Sequence, residues 1–311
     1  MRLARPNLAV RAPRWTIGRR EAVWGFVFVV PWVVGFVIFS LGPTVAIIAW
    51  GFTDYDILQA PKFAGLENYI EIVTDDEKFL KSLANTAIYV GLLVPLQVVI
   101  GFLLAVLVNT KLPLASLFRA FYFLPTIMPL VVASIVWAWV LQPELGLLKF
   151  LLEDTMGIPT PRFMVDEYWS KPGIVILTVW SSIGVQMILF LAALQAVPPH
   201  LYEAAEIDGA GPLRKLIHVT IPLVSPTIFL VIIIGIINSF QVFTTAFVLT
   251  QGGPLDSTLF YVLYLWRKAF VSFEFGYASA LATILFFIIM LLTALSFWVS
   301  RRLVHYEQPE S

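Results

Sequence analysis

Long apolar runs alternate with short charged segments along the chain. Six runs contain no Asp, Glu, Lys or Arg: residues 22–53, 82–110, 120–142, 172–202, 216–255 and 275–300. About 20 predominantly apolar residues are enough for a helix to cross the hydrocarbon core of a bilayer. The pattern therefore predicts an all-α integral membrane protein with six transmembrane helices.

Two of the connections predict short helices outside the membrane. In "GLENYIEIV", Leu66, Ile70 and Val73 follow helical spacing, which predicts a short helix on the outer surface. The long, mixed-charge connection 143–171 predicts one or two more. The first run contains Pro31 and Pro43, which predict a kink, because membrane helices tolerate proline where neighbours satisfy the freed carbonyls.

Composition agrees with a membrane protein. Of the 311 residues, 59% are apolar and 13% are charged, whereas soluble domains carry about 25% charged residues. There is no cysteine, which excludes disulfides, thiolate zinc sites and cysteine nucleophiles. The formal net charge is zero, and we expect no nucleic acid among the partners.

The distribution of charge predicts the orientation. The segments before run 1, between runs 2 and 3, between runs 4 and 5 and after run 6 carry 12 basic and 6 acidic residues; the other three connections carry 8 basic and 14 acidic. Because Lys and Arg favour the cytoplasmic side, both termini are predicted to be cytoplasmic. The first run is far longer than the 7–15-residue core of a signal peptide and no small-x-small site follows, so we interpret it as a retained anchor.

Residues for catalysis or energy conversion are not evident in the sequence. His200, His218 and His305 lie at or beyond the ends of the runs, and neither H-E-x-x-H nor G-x-S-x-G occurs. A phosphate-binding loop would end in G-K-[ST], but the only Lys before Ser or Thr is Lys81, which follows Leu80. We predict no catalytic residue, no metal site and no cofactor in this chain.

The runs also lack the carboxylate, Lys or Arg that secondary transporters usually keep inside the bilayer as an ion carrier. A secondary transporter is thus a weaker alternative. If a solute is pumped, its energy has to come from outside the membrane.

A charged, glycine-containing segment separates runs 4 and 5. The sequence "VPPHLYEAAEIDGAGPLRKLIHVTIP" predicts two short helices. The first begins at Pro198 and Pro199 and closes at a left-handed Gly209. The second begins near Pro212 and ends at Pro222. From these residues alone, the segment is either a protein-docking element or an amphipathic surface linker.

The same segment carries a family resemblance. Glu203-Ala204-Ala205, then Gly209, then "VTIP" ending at Pro222 resemble the E-A-A-x3-G-x9-I-x-L-P signature of membrane subunits of binding-protein-dependent ABC importers. Val219 and Ile221 depart from the signature only by exchanging aliphatic residues. "EAAEIDGAG", "FAGLENY" and "LTQGGP" are similar to the carbohydrate branch, of the maltose and glycerol-phosphate transporter type, and the resemblance extends over about residues 23–300.

The resemblance implies a type I importer membrane domain in the inner membrane, with a cytoplasmic coupling helix. Its implied partners are a second, similar permease subunit, two ATPase subunits that bind ATP and Mg²⁺, an extracytoplasmic solute-binding protein, and the lipid bilayer. The implied division of the chain is a basic segment 1–22, a permease domain 23–300 with coupling loop 198–222, and a tail 301–311. The residues expected to couple to the ATPase are Glu203, Ala204, Ala205, Asp208, Gly209 and Pro222. The chain would be a transport subunit for sugar uptake rather than an enzyme.

Neutral polar residues in runs 4 and 5 are the candidate solute contacts. Sugar hydroxyls need donors and acceptors without charge, together with aromatic faces. The candidates are Thr178, Trp180, Ser182, Asn238, Ser239 and Gln241. Alternatively, these side chains form hydrogen bonds between helices. The absence of charge within the runs favours a neutral mono- or oligosaccharide over glycerol 3-phosphate or another polyol or phosphate ester, which stays the alternative.

Overall fold

A computed structural model describes residues 17–110 and 115–303, and all structural statements refer to these ranges. Most of the predicted N-terminal segment 1–22 and tail 301–311, including His305, lies outside the described residues. The division of the chain at these two ends therefore stays a prediction. The predicted all-α class is confirmed. Within the described ranges, five helices are long and apolar enough to span a membrane, and a sharply bent helix pair can supply a sixth crossing.

The helices occur in the following order. The α-helices are α1 (Ile17–Phe36), α2 (Gly42–Trp50), α3 (Glu67–Thr74), α4 (Glu77–Asn109), α5 (Ala115–Ile127), α6 (Leu130–Val140), α7 (Leu147–Lys149), α8 (Glu167–Ala196), α9 (Pro199–Ile207), α10 (Pro212–Lys215), α11 (Ile221–Phe240), α12 (Thr244–Leu249), α13 (Tyr261–Phe270) and α14 (Phe275–Leu303). Three π-helical turns are Val37–Leu41, Phe150–Asp154 and Leu216–Thr220. In the small antiparallel sheet, β1 (Thr53–Asp54) pairs with β2 (Lys62–Phe63).

The core lies between the long helices. Its larger part joins α4, α8, α13 and α14 around Tyr89, Phe260 and Leu281. A second part joins α4, α8 and α11 around Val108, Phe190 and Val224. Following the predicted orientation, we call the end of the bundle that carries α3 and α7 the outer end, and the end that carries α9 and α10 the inner end.

The predicted third span, 120–142, corresponds to two helices and not to one straight helix. The chain breaks between α5 and α6, which are bent by 100° relative to each other. Met128 precedes Pro129, and a residue before proline is disfavoured in the α-helical region. Pro129 itself is extended (φ −55°, ψ 130°) and has no N–H to donate. Its carbonyl accepts from the Ala133 N–H (3.0 Å) and starts α6.

The predicted fifth span is also too long. Helix α11 ends at Phe240, and α12 begins at Thr244 after a non-helical link. The N–H of Gln241 donates to the carbonyl of Asn238, three residues back (3.2 Å). An α-helical bond would reach four residues back, so the last turn is narrower, and this bond closes the helix end. The short helix α12 then packs against α6. The two broken helix pairs therefore meet inside the bundle.

The connection between α12 and α14 is not a simple outer loop, since it contains α13. The Tyr261 N–H donates to Thr86 Oγ1 of α4 (2.9 Å), and the Tyr261 hydroxyl donates to the Leu281 carbonyl of α14 (2.8 Å). Tyr261 is fully buried. Helix α13 thus starts within the bundle and runs towards its outer end.

Candidate functional site

The joint of the predicted coupling loop is a well-defined helix end. Helix α9 begins at Pro199, with Pro198 as its N-cap. At its end Gly209 has φ +74°, as predicted for a left-handed glycine. The Gly209 N–H donates to the Glu206 carbonyl (3.0 Å) and the Ala210 N–H to the Ala205 carbonyl (2.8 Å). This pair of bonds is the Schellman pattern, which satisfies carbonyls that a helix end would otherwise leave free.

The prediction that Pro222 ends the second helix is wrong. Residues Pro212–Phe240 form one continuous membrane-spanning helix in which the π turn Leu216–Thr220 leads directly into α11. Proline removes one helical hydrogen bond and crowds the carbonyl four residues before it. A π turn inserts an extra residue into the helix, and here it comes immediately before Ile221 and Pro222. No loop therefore separates α10 from α11.

Helix α9 is fixed to this continuous helix by two side-chain contacts. The hydroxyls of Tyr202 and Thr220 are 3.1 Å apart. Lys215 Nζ lies 3.2 Å from Glu206 Oε2. Since Glu206 is largely exposed, that ion pair contributes at most about 1 kcal/mol. Together the contacts join α9 to the helix that continues into α11.

One face of α9 is left open. Glu203 and Ala204 are exposed and Ala205 is half-buried. Ile207, a large apolar side chain in the last position of α9, is 88% exposed. Asp208 and Gly209 are exposed beside it. Five of the six predicted coupling residues, all except Pro222, thus lie within four positions of Ile207. The sequence analysis missed Ile207 itself.

A cavity of about 290 Å³ lies where the two helix breaks meet. Its wall includes five of the predicted solute contacts: Thr178, Ser182, Asn238, Ser239 and Gln241. It also includes residues that were not predicted, namely Tyr89, Leu93, Gln97, Leu130, Val242, Phe243 and Thr245. All these side chains are uncharged. The sixth candidate, Trp180, does not line the cavity and instead lies against Trp137, with ring centroids 5.6 Å apart.

Part of the polar wall also joins helices. Tyr89 of α4 donates its hydroxyl hydrogen to Thr178 Oγ1 of α8 (3.0 Å), and Gln97 Nε2 donates to Ser182 Oγ (2.8 Å). Ser182 Oγ in turn donates to the Thr178 carbonyl (2.7 Å). The alternative of interhelical hydrogen bonding therefore holds for Thr178 and Ser182, although both face the cavity.

Other polar atoms of the wall have no protein partner. Gln186 Oε1 and Thr245 Oγ1 are buried without a hydrogen bond within the described part of the chain, and both residues line the cavity. The side chains of Asn238 and Gln241 are exposed. Buried polar atoms without partners are costly. The cavity can thus offer acceptors and donors to a neutral, hydroxyl-rich molecule.

A second cluster of polar side chains lies at the outer end. Asp76 Oδ1 accepts from the N–H groups of Lys78 and Phe79 and caps α4, and Oδ2 accepts from the hydroxyls of Tyr264 and Tyr277 (2.5 Å each). Burial acts to raise the pKa of Asp76, but these hydrogen bonds and the nearby Lys268 charge together lower the pKa below its ordinary value. Asp76 therefore joins α4, α13 and α14 as a carboxylate. No group of three His, Asp or Glu side chains suited to a metal ion occurs in residues 17–110 or 115–303.

The protein comparisons agree with this geometry. Residues 78–305 match the family described as "Binding-protein-dependent transport system inner membrane component". The chain belongs to this family. It is thus a multi-pass inner membrane protein and a transport subunit, and the resemblance found in its sequence is confirmed.

Two curated relatives and one solved structure show how far the similarity extends. The chain is 35% identical to the probable ABC transporter permease protein YesP of Bacillus subtilis, covering 94% of this chain and 95% of that one. It is 33% identical to the diacetylchitobiose uptake system permease protein NgcF of Streptomyces coelicolor, covering 86% and 79%. A crystal structure of a bacterial alginate ABC transporter, in complex with an alginate pentasaccharide-bound periplasmic protein, has a chain with the same fold (TM-score 0.80, 20% identity, 91% and 96% covered).

Proposed function

We propose that this chain is the membrane-spanning permease subunit of an ATP-driven importer that moves a neutral sugar, delivered by an extracytoplasmic binding protein. The observation that carries the proposal is the cavity at the helix breaks, whose wall contains many polar side chains and no charged one. Neutral amide and hydroxyl groups can donate hydrogen bonds to sugar hydroxyls and accept them. A phosphate ester is typically bound by a cationic side chain such as Arg or Lys. The name of the relative NgcF, a diacetylchitobiose permease, supports the same class of solute.

We further propose that the work comes from two ATPase subunits, which hold ATP and Mg²⁺ and dock on the open face of α9. Glu203 and Asp208 would pair with basic side chains, Ala204 and Ala205 would permit close approach, and Ile207 would enter an apolar pocket. Energetically important interface positions are typically side chains that fill well-packed, desolvated pockets near the centre of an interface. Because α9 is fixed to the continuous helix that contains Pro222, closure of the ATPases would move α11 and the cavity wall.

A second, similar permease would complete the translocation path. No residue of the first span, Glu21–Trp50, is buried within this chain. Asn238 and Gln241 on the cavity wall are exposed, so a partner subunit can close the cavity on that side. With the basic connections inside, both termini and the loop 198–222 face the cytoplasm, where ATP is available.

The coupling proposal is tested by two substitutions in α9 and its joint. Glu203→Lys reverses the charge at the docking face, and Gly209→Pro forbids the left-handed turn, since proline requires φ near −65°. Both variants should reach the membrane but lose the ATP hydrolysis that solute-loaded binding protein stimulates in the assembled complex. Glu144→Lys, on an exposed outer connection, is the matched control. Full stimulation in both variants would contradict the proposal.

The solute class is tested by uptake into proteoliposomes that contain the whole complex. Labelled neutral mono-, di- and trisaccharides and labelled glycerol 3-phosphate are compared, with ATP inside or absent. We expect ATP-dependent uptake of a neutral sugar. Uptake of the phosphate ester alone would overturn the sugar assignment and leave the coupling proposal in place.

A further inference from the structure

Five aromatic side chains follow one another from the cavity to the outer end of the bundle. We call this set the aromatic ladder: Phe243, Phe247, Trp266, Phe270 and Phe275. Successive ring centroids are 5.2, 5.0, 6.1 and 5.6 Å apart. These distances lie within the about 4.5–7 Å range of interacting aromatic rings. The ladder is therefore continuous, although its members come from three separate segments of the chain.

The two ends of the ladder lie at different depths. Phe243 lines the cavity, next to the break between α11 and α12. Phe270 ends α13, and Phe275 begins α14 at the outer end. The depth of α13 is fixed independently, because its first residue, Tyr261, bonds to α4 and α14 inside the bundle. The ladder thus connects the cavity with the surface that faces an extracytoplasmic binding protein.

The rings are not sealed into the core. Phe247 is 37% exposed and Phe270 is 57% exposed, whereas the opposite face of α13 is buried through Tyr261 and Tyr264. Exposed apolar rings within a membrane would ordinarily face lipid. Here the lower end adjoins the polar cavity wall, and at the upper end Glu274, which precedes Phe275, forms an ion pair with Lys268 (2.7 Å). Both ends of the ladder thus lie beside polar or charged groups, as a path open to water requires.

The chemistry of sugars fits such a surface. A pyranose ring has hydroxyls at its rim and a face of weakly positive C–H groups, and the face of an aromatic ring is negative. Stacking holds a sugar ring without demanding one particular hydroxyl pattern. A series of similar rings also offers contacts of similar strength, so that a sugar passes from one ring to the next without a deep energy minimum.

We infer that the aromatic ladder is a stacking path along which sugar rings move between the outer face and the cavity. This inference rests on the proposed function and adds a route to it. Phe243, which contacts both Phe247 and Trp266 (5.8 Å between the Phe243 and Trp266 centroids), is the point at which the path enters the cavity.

The test separates the aromatic face from apolar bulk. Trp266→Leu and Phe270→Leu keep an apolar side chain but remove the ring, whereas Trp266→Phe and Phe270→Tyr keep a ring. Trp24→Leu, on α1 and outside the ladder, is the control. Each variant is assembled with its partner subunits, and initial uptake of labelled neutral di- and trisaccharides, diacetylchitobiose among them, is measured together with ATP hydrolysis.

We expect the two Leu variants to take up sugar about fivefold more slowly, since a stacking contact of this kind is worth a factor of a few in affinity. The ring-retaining variants and the control should stay near wild type in both sugar uptake and stimulated ATP hydrolysis. Wild-type uptake in the Leu variants would overturn the inference, and so would an equal defect in the ring-retaining variants. Loss of the assembled complex would also overturn it, because the ladder would then be a subunit contact. A wild-type complex that carries no sugar would instead refute the proposed function itself.

Discussion

Gln97 on α4 donates a 2.8 Å hydrogen bond from Nε2 to Oγ of Ser182 on α8. Both residues line the cavity. The same bond therefore holds two long helices together and fixes the orientation of two polar side chains towards the proposed solute. A change at Gln97 or Ser182 is therefore expected to affect both the packing of α4 on α8 and the binding of the solute.

Ser182→Ala removes that interhelical bond and leaves Gln97 Nε2 without its partner. In membranes such bonds contribute about 0.6 kcal/mol on average and up to about 1.7, and we expect a loss of stability in this range. Ser181→Ala is the matched control, because Ser181 Oγ bonds only the Thr178 carbonyl of its own helix (3.1 Å). Unfolding in mixed micelles with increasing SDS measures both. Equal losses would show that the Gln97–Ser182 bond contributes nothing.

Gly209→Ala should weaken the coupling loop, whereas Gly211→Ala should not. Neither glycine has a neighbour within 4 Å of an added Cβ, so the two differ mainly in backbone conformation: Gly209 has φ +74° and Gly211 φ −68°. A left-handed conformation costs a non-glycine residue about 1–2 kcal/mol. We expect Gly209→Ala to reduce the stimulated ATP hydrolysis of the complex and Gly211→Ala to leave it unchanged. The same activity in both variants would show that the conformation of this joint has no role.

Gly184→Val should separate α5 from α8. A Cβ at Gly184 would lie 2.6 Å from the Tyr122 carbonyl oxygen and 2.8 Å from Phe123 Cα. Both are backbone atoms, so α5 would have to shift. Overpacking of this kind costs about 1–3 kcal/mol. Gly91→Val on α4, where a Cβ meets nothing within 4 Å, is the control. The thermal unfolding temperature in detergent should fall for Gly184→Val only, and unchanged values for both would contradict the close crossing.

The outer junction should lose stability in acid. Since the pKa of Asp76 is lowered in the folded protein, its contribution is fully present above the unfolded pKa of about 3.9. It is lost as the pH falls from there through the lower folded pKa. We expect the unfolding temperature of the wild type to drop more steeply below about pH 4 than that of Asp76→Asn, and the variant to be less stable at pH 7. Parallel pH profiles would show that the Asp76 carboxylate does not stabilise the contact with Tyr264 and Tyr277.

Much of the fold could be predicted from the sequence because the bilayer requires long apolar helices. The runs 82–110, 172–202 and 275–300 correspond to α4, α8 and α14, and the glycine-closed end of α9 follows from local backbone chemistry at Gly209. The break at Pro129 could not be predicted from the sequence. Proline occurs both at helix breaks and within membrane helices that are only kinked, so its presence does not tell the two apart. The break after Phe240 has no Gly or Pro signal and arises where α12 packs against α6.

The cavity was only partly predictable. Polar residues within apolar runs drew attention to Thr178, Ser182 and Asn238, which line it. Sequence alone does not determine how a helix is rotated, so Trp180 was proposed although it packs on Trp137, and Tyr89 and Gln97 were missed. Helix α13 was not predicted because Arg267 and Lys268 made its segment resemble an outer loop.

The most direct measurement of the central claim is sugar uptake by defined proteoliposomes. One set contains this chain with a second permease, the ATPase subunits and the binding protein; the other contains this chain without the ATPase subunits. We predict uptake only in the first set, only with ATP, and its loss in the Glu203→Lys variant of the complete complex. Uptake in the second set, or uptake that is independent of ATP, would contradict the claim that α9 transmits work from a separate ATPase.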